Sequence, residues 1–299
     1  MAYKTVLVHL DDSPGATARL RLATRIAVSG GGHLVGAAMT GVSRLLYQHA
    51  APDDDPHLAL HLDALRARAG ASLAGVEAEV TALGLTSFEQ RVVDDEAGGG
   101  VSLLARYADL VVIGQFDPHQ AAPSVMSDFP AYVVMNAARP VLIVPHAGGA
   151  AEPPAGAAAP SARPGAFGRV LIAWNASNEA AHAVGAALPL LKRADQVMVA
   201  MFDTASRAAE HGSAPGSALQ AYLARHGIKV ELLQRSTGRH GPFRRHGDVG
   251  DAVLALTSEV GADLLVMGAY GHSRLRETII GGVTRTVLQH MALPVLMTH

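Results

Sequence analysis

The chain contains the same set of strand-like segments twice, in the same order. The matched pairs are residues 6–13 with 170–177, 108–114 with 262–268, and 140–144 with 294–298. The first pair is offset by 164 residues and the other two by 154, so the first copy is ten residues longer between its first and second blocks. Three matched blocks in one order indicate a duplicated domain, and each copy must then fold around its own core.

The two copies are joined by a segment that is rich in Ala, Pro and Gly. Residues 148–165 contain almost no large apolar side chain, so they cannot bury a core. We therefore expect a mobile surface linker at 148–165, a first domain at 1–147 and a second domain at 166–299.

Each copy alternates strand-like and helix-like segments. The apolar runs around Leu171 and Leu265 are continuous, which favours strands buried on both faces, as in a parallel sheet covered by helices. Ser177 is a good N-cap for the helix that follows the first of these strands, with Glu179 in its first turn. The prediction is an α/β fold with two tandem Rossmann-like domains, each an open five-stranded parallel sheet with helices on both faces. Such sheets bind ligands beyond the carboxyl ends of their strands.

The composition excludes several classes of function. The net charge is −2 and charged residues make up 17% of the chain, which does not indicate a nucleic-acid partner. The chain has no cysteine, so disulfides, cysteine-based zinc sites and thiol nucleophiles are excluded. The sequence shows neither a signal-peptide pattern nor an apolar run of roughly 18 residues, so we expect a cytoplasmic protein without a membrane segment.

The second copy carries glycines where this fold places its ligand. Gly268 and Gly271 follow the apolar run that ends at Met267, and Gly281 and Gly282 come directly before a predicted helix. Glycines let backbone N–H groups approach a ligand, and a helix start attracts anions, so the pattern favours a phosphate site over a set of tight turns. Nearby side chains add donors and positive charge: Ser273, Arg274, Arg276, Thr284 and Arg285. The Gly-Lys-Ser/Thr of a P-loop is missing, so the fast chemistry of that class is not implied.

The spacing of these glycines resembles that of the universal stress protein family, in its ATP-binding branch. Gly268 and Gly271 are separated by two residues, nine residues follow, and then comes Gly281. The resemblance extends over both copies, essentially the whole chain outside the linker, and implies an adenine nucleotide α-hydrolase-like fold. It also implies an adenine-nucleotide site made of Ala173, Asn175, Phe202, Gly247, Asp248, Met267, Gly268, Gly271, His272, Ser273, Arg274, Gly281, Gly282, Val283 and Thr284.

Two residues depart from the family pattern. Gly282 stands where the family usually has Ser or Thr, and Asn175 stands where it usually has Asp at the end of the first strand. An amide both donates and accepts hydrogen bonds, so contacts to base or ribose survive. A carboxylate that helps to hold a metal does not, so nucleotide binding is favoured over metal-assisted hydrolysis.

The first copy keeps only the first of these glycines, as Gly114. In place of Gly271, Gly281, Gly282, Val283 and Thr284, it has Asp117, Ser127, Asp128, Phe129 and Pro130. Each carboxylate would repel a phosphate by a few kcal/mol at short range, and proline removes a backbone donor. The first copy is therefore predicted to be a structural or partner-binding half without bound ATP.

Histidine pairs and basic loops give weaker signals. His57 and His61 are four residues apart on a predicted helix, but a solvated helix face is favoured over a metal site. Residues 240–246 form a basic insertion, for which an exposed loop is favoured over a lid on the phosphates. The spacing of the polar residues reveals no catalytic set and predicts no metal site.

The leading hypothesis is a stress-response sensor or regulator that binds one ATP or AMP, with or without Mg²⁺, in the second domain. A slow ATPase or phosphotransferase and a ligand-free interaction scaffold remain as alternatives. The resemblance implies a pseudo-dimer of the two domains through the final strands at 141–144 and 295–298, and a homodimer of whole chains stays open.

Overall fold

The computed structural model describes residues 2–45, 56–119, 125–146, 167–203, 214, 216–237, 247–271 and 282–299. These residues fall into two compact units, the first within residues 2–148 and the second within 149–299. The predicted linker at 148–165 lies outside the described residues.

The first unit is an α/β sheet whose strands are all parallel. Its elements are β1 (Thr5–His9), α1 (Ala16–Gly30), β2 (His33–Met39), α2 (Pro56–Ala71), α3 (Val76–Ala82), β3 (Phe88–Val93), α4 (Ala97–Ala105), β4 (Leu110–Gly114), α5 (Phe129–Asn136) and β5 (Val141–Val144). The strand order is β3-β2-β1-β4-β5. The order reverses between β1 and β4, and that switch point is where ligands of open α/β sheets bind.

The second unit repeats this arrangement. Its elements are β6 (Arg169–Ala173), α6 (Asn178–Leu191), β7 (Gln196–Phe202), α7 (Ser217–Arg225), β8 (Val230–Arg235), α8 (Gly247–Glu259), β9 (Leu264–Gly268), α9 (Gly282–His290) and β10 (Val295–Thr298). The strand order is β10-β9-β6-β7-β8, again parallel throughout, with the switch point between β6 and β9. The predicted α/β class with parallel five-stranded sheets is confirmed.

The central strands are buried along their length. Val170, Leu171 and Ile172 on β6 are fully buried, and Leu264 and Leu265 on β9 are too. Continuous burial follows from the continuous apolar runs in the sequence, because a strand covered on both faces has no side that needs polar residues. Each unit therefore has its own core, built mainly from Val, Leu, Ile and Ala.

At matching positions, an aspartate binds the backbone at the amino end of the first strand of each unit. In the first unit, a carboxylate oxygen of Asp109 accepts hydrogen bonds from the backbone N–H groups of Lys4 and Thr5, at 2.7 and 3.0 Å. In the second unit, Asp263 accepts from the N–H groups of Gly168 and Arg169, at 2.6 and 3.0 Å. This amino-end clamp explains why the block containing the aspartate recurs in the two copies.

Membrane-spanning helices were sought among the described residues. None of the helices found there is long and apolar enough to cross a bilayer.

Candidate functional site

The carboxyl ends of three neighbouring strands bring several predicted site residues together in the second unit. Ala173 at the end of β6 lies in register with Ala200 of β7 and Met267 of β9. Met267 is buried, whereas Ala173 and Phe202 at the end of β7 are half-buried. These residues form an apolar floor at the carboxyl edge of the sheet, next to the switch point between β6 and β9.

The turn from β6 into α6 is organised by two side chains. The Asn175 side-chain oxygen accepts a hydrogen bond from the Ser177 N–H at 3.1 Å. The hydroxyl oxygen of Ser177 accepts from the Ala180 N–H at 3.2 Å, which confirms Ser177 as the N-cap of α6. The Asn175 oxygen is therefore engaged by the turn, and its amide NH₂ group is the part that remains for a ligand. Ala176, which lies between Asn175 and Ser177, adopts a left-handed backbone with φ of 59°.

Gly268 serves the packing of α6. A Cβ placed on Gly268 would overlap the backbone nitrogen of Ala180 and lie 2.6 Å from the carbonyl carbon of Glu179. The close approach of the α6 backbone to the end of β9 thus requires glycine at this position. Ligand approach is the role predicted for Gly268 from the sequence, and helix packing is a second reason for glycine at this position.

Gly271 faces a different neighbourhood. A Cβ there would lie 2.7 Å from a carboxylate oxygen of Glu179 and 3.2 Å from the Ser177 hydroxyl. Both neighbours are side-chain atoms, so this glycine borders a space that a rotating side chain can vacate. Glu179 was predicted only as a first-turn acid of α6, and its position beside Gly271 could not be read from local spacing.

The two halves of the glycine segment meet through Tyr270 and Thr284. Tyr270 has a left-handed backbone with φ of 58°, and its N–H donates to the Thr284 hydroxyl at 3.3 Å. Thr284 on α9 is buried, with 4% of its surface exposed. Burial raises the pKa of Tyr270 above its ordinary value. Its ring meets that of His299 edge-on, with centroids 6.4 Å apart.

The end of β7 carries an acidic residue that sequence reasoning missed. Asp203 has φ of 53°, and one carboxylate oxygen accepts from the Thr237 N–H at 3.1 Å and from the Ser236 hydroxyl at 3.3 Å. The other accepts from the Thr237 hydroxyl at 3.0 Å. These bonds join the carboxyl ends of β7 and β8.

The remaining predicted residues are only partly described. Gly247 and Asp248 begin α8, and the side chain of Asp248 lies outside the part of the chain that the structure describes. Gly282 and Val283 begin α9 and are half-buried. His272, Ser273, Arg274, Arg276, Gly281 and the predicted loop at 240–246 lie outside the described residues.

The corresponding edge of the first unit is filled by larger side chains. His9 and Arg19 are buried there, and the Phe129 ring lies 5.0 Å from the His9 ring. The second unit has Ala173, Ala183 and Val283 at the matching positions. The cavity that remains in the first unit is about 40 Å³, far below the roughly 300 Å³ at which ligand pockets begin. Asp117 borders this cavity and accepts a hydrogen bond from the His119 N–H at 2.8 Å.

Within the described ranges, no three His, Asp or Glu side chains lie close enough to hold an ion together. His57 and His61 both lie on α2 and are exposed.

Comparison with known proteins gives a family for both units. The model of the universal stress protein family matches residues 2–145 and again residues 166–299. A universal stress protein of Synechocystis sp. is 42% identical over 50 residues, which is 17% of this chain and 17% of that protein's length.

A solved structure of another universal stress protein has the same fold. A universal stress protein from Archaeoglobus fulgidus superposes with a TM-score of 0.64 at 16% identity, covering 98% of this chain and 97% of that one. A universal stress protein in complex with cAMP is 25% identical and covers 49% of this chain and 99% of that one, with a TM-score of 0.35. Because the family model matches nearly the whole length of the chain in two successive copies, the chain belongs to the universal stress protein family, as a tandem member.

Proposed function

We propose that the second unit binds one adenine nucleotide, ATP or AMP, and that the chain acts as a stress-response sensor or regulator. The observation that supports this best is a concentration of strained backbone at the ends of three adjacent strands. Ala176, Asp203 and Tyr270 follow β6, β7 and β9, and all three have positive φ without being glycine. Such residues cost of order 1 kcal/mol or more each and cluster at ligand sites.

The first unit lacks this concentration of strain. The residues that match Ala176 and Tyr270 by the repeat offsets are Asp12 and Phe116, and neither has a positive φ. The two units share the strand order of the sheet, so the sheet topology alone does not require the left-handed turns. A requirement at the carboxyl edge of the second sheet explains them better.

The chemistry available at this edge suits a nucleotide. The apolar floor of Ala173, Met267 and Phe202 would hold the base, and the amide of Asn175 would bind base or ribose. The start of α9 at Gly282 and the Thr284 hydroxyl would receive the phosphates, because a helix N-terminus favours negative charge.

Slow ATP hydrolysis is a second candidate. The Glu179 carboxylate lies beside Gly271, on the path that the phosphates would take, and a carboxylate there would hold Mg²⁺. Turnover of ATP measured with and without Mg²⁺ separates the two candidates, since a sensor would leave the nucleotide intact.

The nucleotide proposal is tested on the purified chain. Mass spectrometry of small molecules released by denaturation should find an adenine nucleotide near one per chain. Titration with ATP, AMP and cAMP, followed by the fluorescence of Trp174 next to Asn175, then gives the affinities. No released nucleotide, together with no thermal shift on adding any of the three, would refute the proposal and favour a ligand-free scaffold.

Gly271→Val is the sharpest variant for this site. Gly271 has no positive φ, and the nearest described neighbours of an added Cβ are side-chain atoms of Glu179 and Ser177, so we expect the fold to tolerate the change. We expect nucleotide affinity to fall at least tenfold, because the valine would fill the space beside the phosphates. Ala224→Val, at an exposed position of α7, is the matched control and should bind as the parent chain does. Equal affinities for the two variants would place the ligand elsewhere.

Three expectations stay predictions: the boundaries 1–147, 148–165 and 166–299, the pairing of the two domains through their final strands, and a cytoplasmic location.

A further inference from the structure

The carboxyl edge of the first sheet contains a buried ion pair that the second unit lacks. Arg19 on α1 is 3% exposed. Its Nε donates to the backbone oxygen of His9 at 2.6 Å, and its Nη2 donates to a carboxylate oxygen of Asp11 at 2.7 Å. His9 ends β1 and Asp11 follows two residues later, so the guanidinium is held at the switch point of the sheet.

The same guanidinium also covers the end of β4. A Cβ placed on Gly114 would overlap the Nη1 of Arg19. Gly114 matches Gly268, where the backbone of α6 occupies that direction instead. In the second unit, the residue that matches Arg19 is Ala183, which is fully buried and leaves the switch point to smaller groups.

The surroundings of Arg19 resemble a binding site with its ligand in place. The planar cation donates to one carboxylate oxygen and one carbonyl oxygen, which are acceptors that a guanidinium prefers. The cavity left around it, about 40 Å³, is lined by Arg19, Asp11, Ser13 and His146 among others. That volume suits a water molecule and not a nucleotide.

We propose that Arg19 is a built-in occupant of the ligand pocket of the first unit, and that its guanidinium closes this pocket to nucleotides. The inference does not depend on whether the second unit binds a nucleotide. It adds a reason for closure beyond Asp117, Asp128 and Pro130. It also predicts that the pocket binds guanidinium once the Arg19 side chain is removed. Removing the side chain would leave the acceptors of Asp11 and His9 facing a hole of guanidinium shape.

The test is chemical rescue of Arg19→Ala. The variant should melt about 10 °C below the parent chain, because one partner of a buried ion pair is lost. Millimolar guanidinium chloride should then raise its melting temperature by several degrees relative to the same concentration of sodium chloride. The matched control is Arg21→Ala, whose guanidinium is exposed and pairs with Glu79, and guanidinium should not raise its melting temperature. An equal response of the two variants to guanidinium would overturn the proposal.

Asp11→Asn/Arg19→Ala guards against a variant that fails to fold. It removes both buried charges and recreates the Asn175 and Ala183 pair of the second unit. We expect it to be more stable than Arg19→Ala and to show no guanidinium rescue, because the carboxylate is gone. Rescue of the double variant would contradict the assignment of Asp11 as the acceptor.

Counting bound nucleotide separates this inference from the proposed function. Equilibrium dialysis of the parent chain with ATP or AMP should never exceed one nucleotide per chain. Two per chain would overturn the closed pocket, whereas none would refute only the proposal for the second unit.

Discussion

His9 is a buried histidine whose titration should control how the protein responds to acid. It is 1% exposed, and its Nδ1 lies 3.8 Å from a carboxylate oxygen of Asp11. Burial lowers the pKa of His9 to about 4, with Asp11 opposing this shift and Arg19 adding to it. The Asp11 carboxyl is itself buried, which would raise its pKa, but Arg19 and His9 hold that pKa below its ordinary value.

These shifts predict a loss of stability in mild acid. The unfolded chain takes up a proton on His9 below pH 6.5, while the folded chain resists it down to about pH 4. The free energy of unfolding should therefore fall as the pH drops through this window, by on the order of 3 kcal/mol from His9 alone. Asp11 contributes below the window, since its stabilising charge is lost only when that carboxyl is protonated.

Urea unfolding at several pH values checks this expectation. His9→Gln should flatten the pH dependence between 6.5 and 4, because the buried titrating group is gone. His61→Gln, at an exposed position of α2, should leave the slope of the parent chain. An unchanged slope in His9→Gln would mean that other groups cause the acid response.

At the scale of elements, the contact between α6 and β9 gives Gly268 a role in folding that can be measured separately from a role in ligand binding. Gly268→Ala should lower the free energy of unfolding by about 1–3 kcal/mol, because the added methyl group meets backbone atoms that cannot rotate away. Gly185→Ala, in α6, has open space around the added methyl group and should stabilise the chain by up to about 1 kcal/mol. Denaturant titration without ligand measures the free energy of unfolding of both variants. An unchanged free energy in Gly268→Ala would show that α6 does not pack closely against Gly268.

The elements themselves were largely predictable. The final strand at Val295–Thr298 has the predicted bounds, and Ser177 caps α6 as its side chain suggests. Continuous apolar runs and cap residues are local signals, so a single sequence reveals them. The position of the Arg19 side chain cannot be predicted from local sequence, because an arginine near the start of a helix normally points to solvent. Only the pairing of β1 with β4 brings this side chain over Gly114.

At the scale of the whole molecule, the two units should respond differently to nucleotide. A ligand that binds only the second unit stabilises that unit by about 2.7 kcal/mol at a concentration of 100 times its dissociation constant. Differential scanning calorimetry with ATP or AMP should therefore move the part of the heat absorption that belongs to the second unit. In Gly271→Val, the transition of the second unit should no longer shift when nucleotide is added, which identifies that transition in the parent chain.

The amino-end clamps of Asp109 and Asp263 have a consequence for how the two units compare. They secure the strands at the edge farthest from any ligand, in the same way in both copies. The opposite edges of the two sheets carry different side chains, among them Arg19 in the first unit and Ala183 in the second. If both proposals hold, one copy has a site for an external molecule, whereas in the other copy a side chain of the chain itself takes that place.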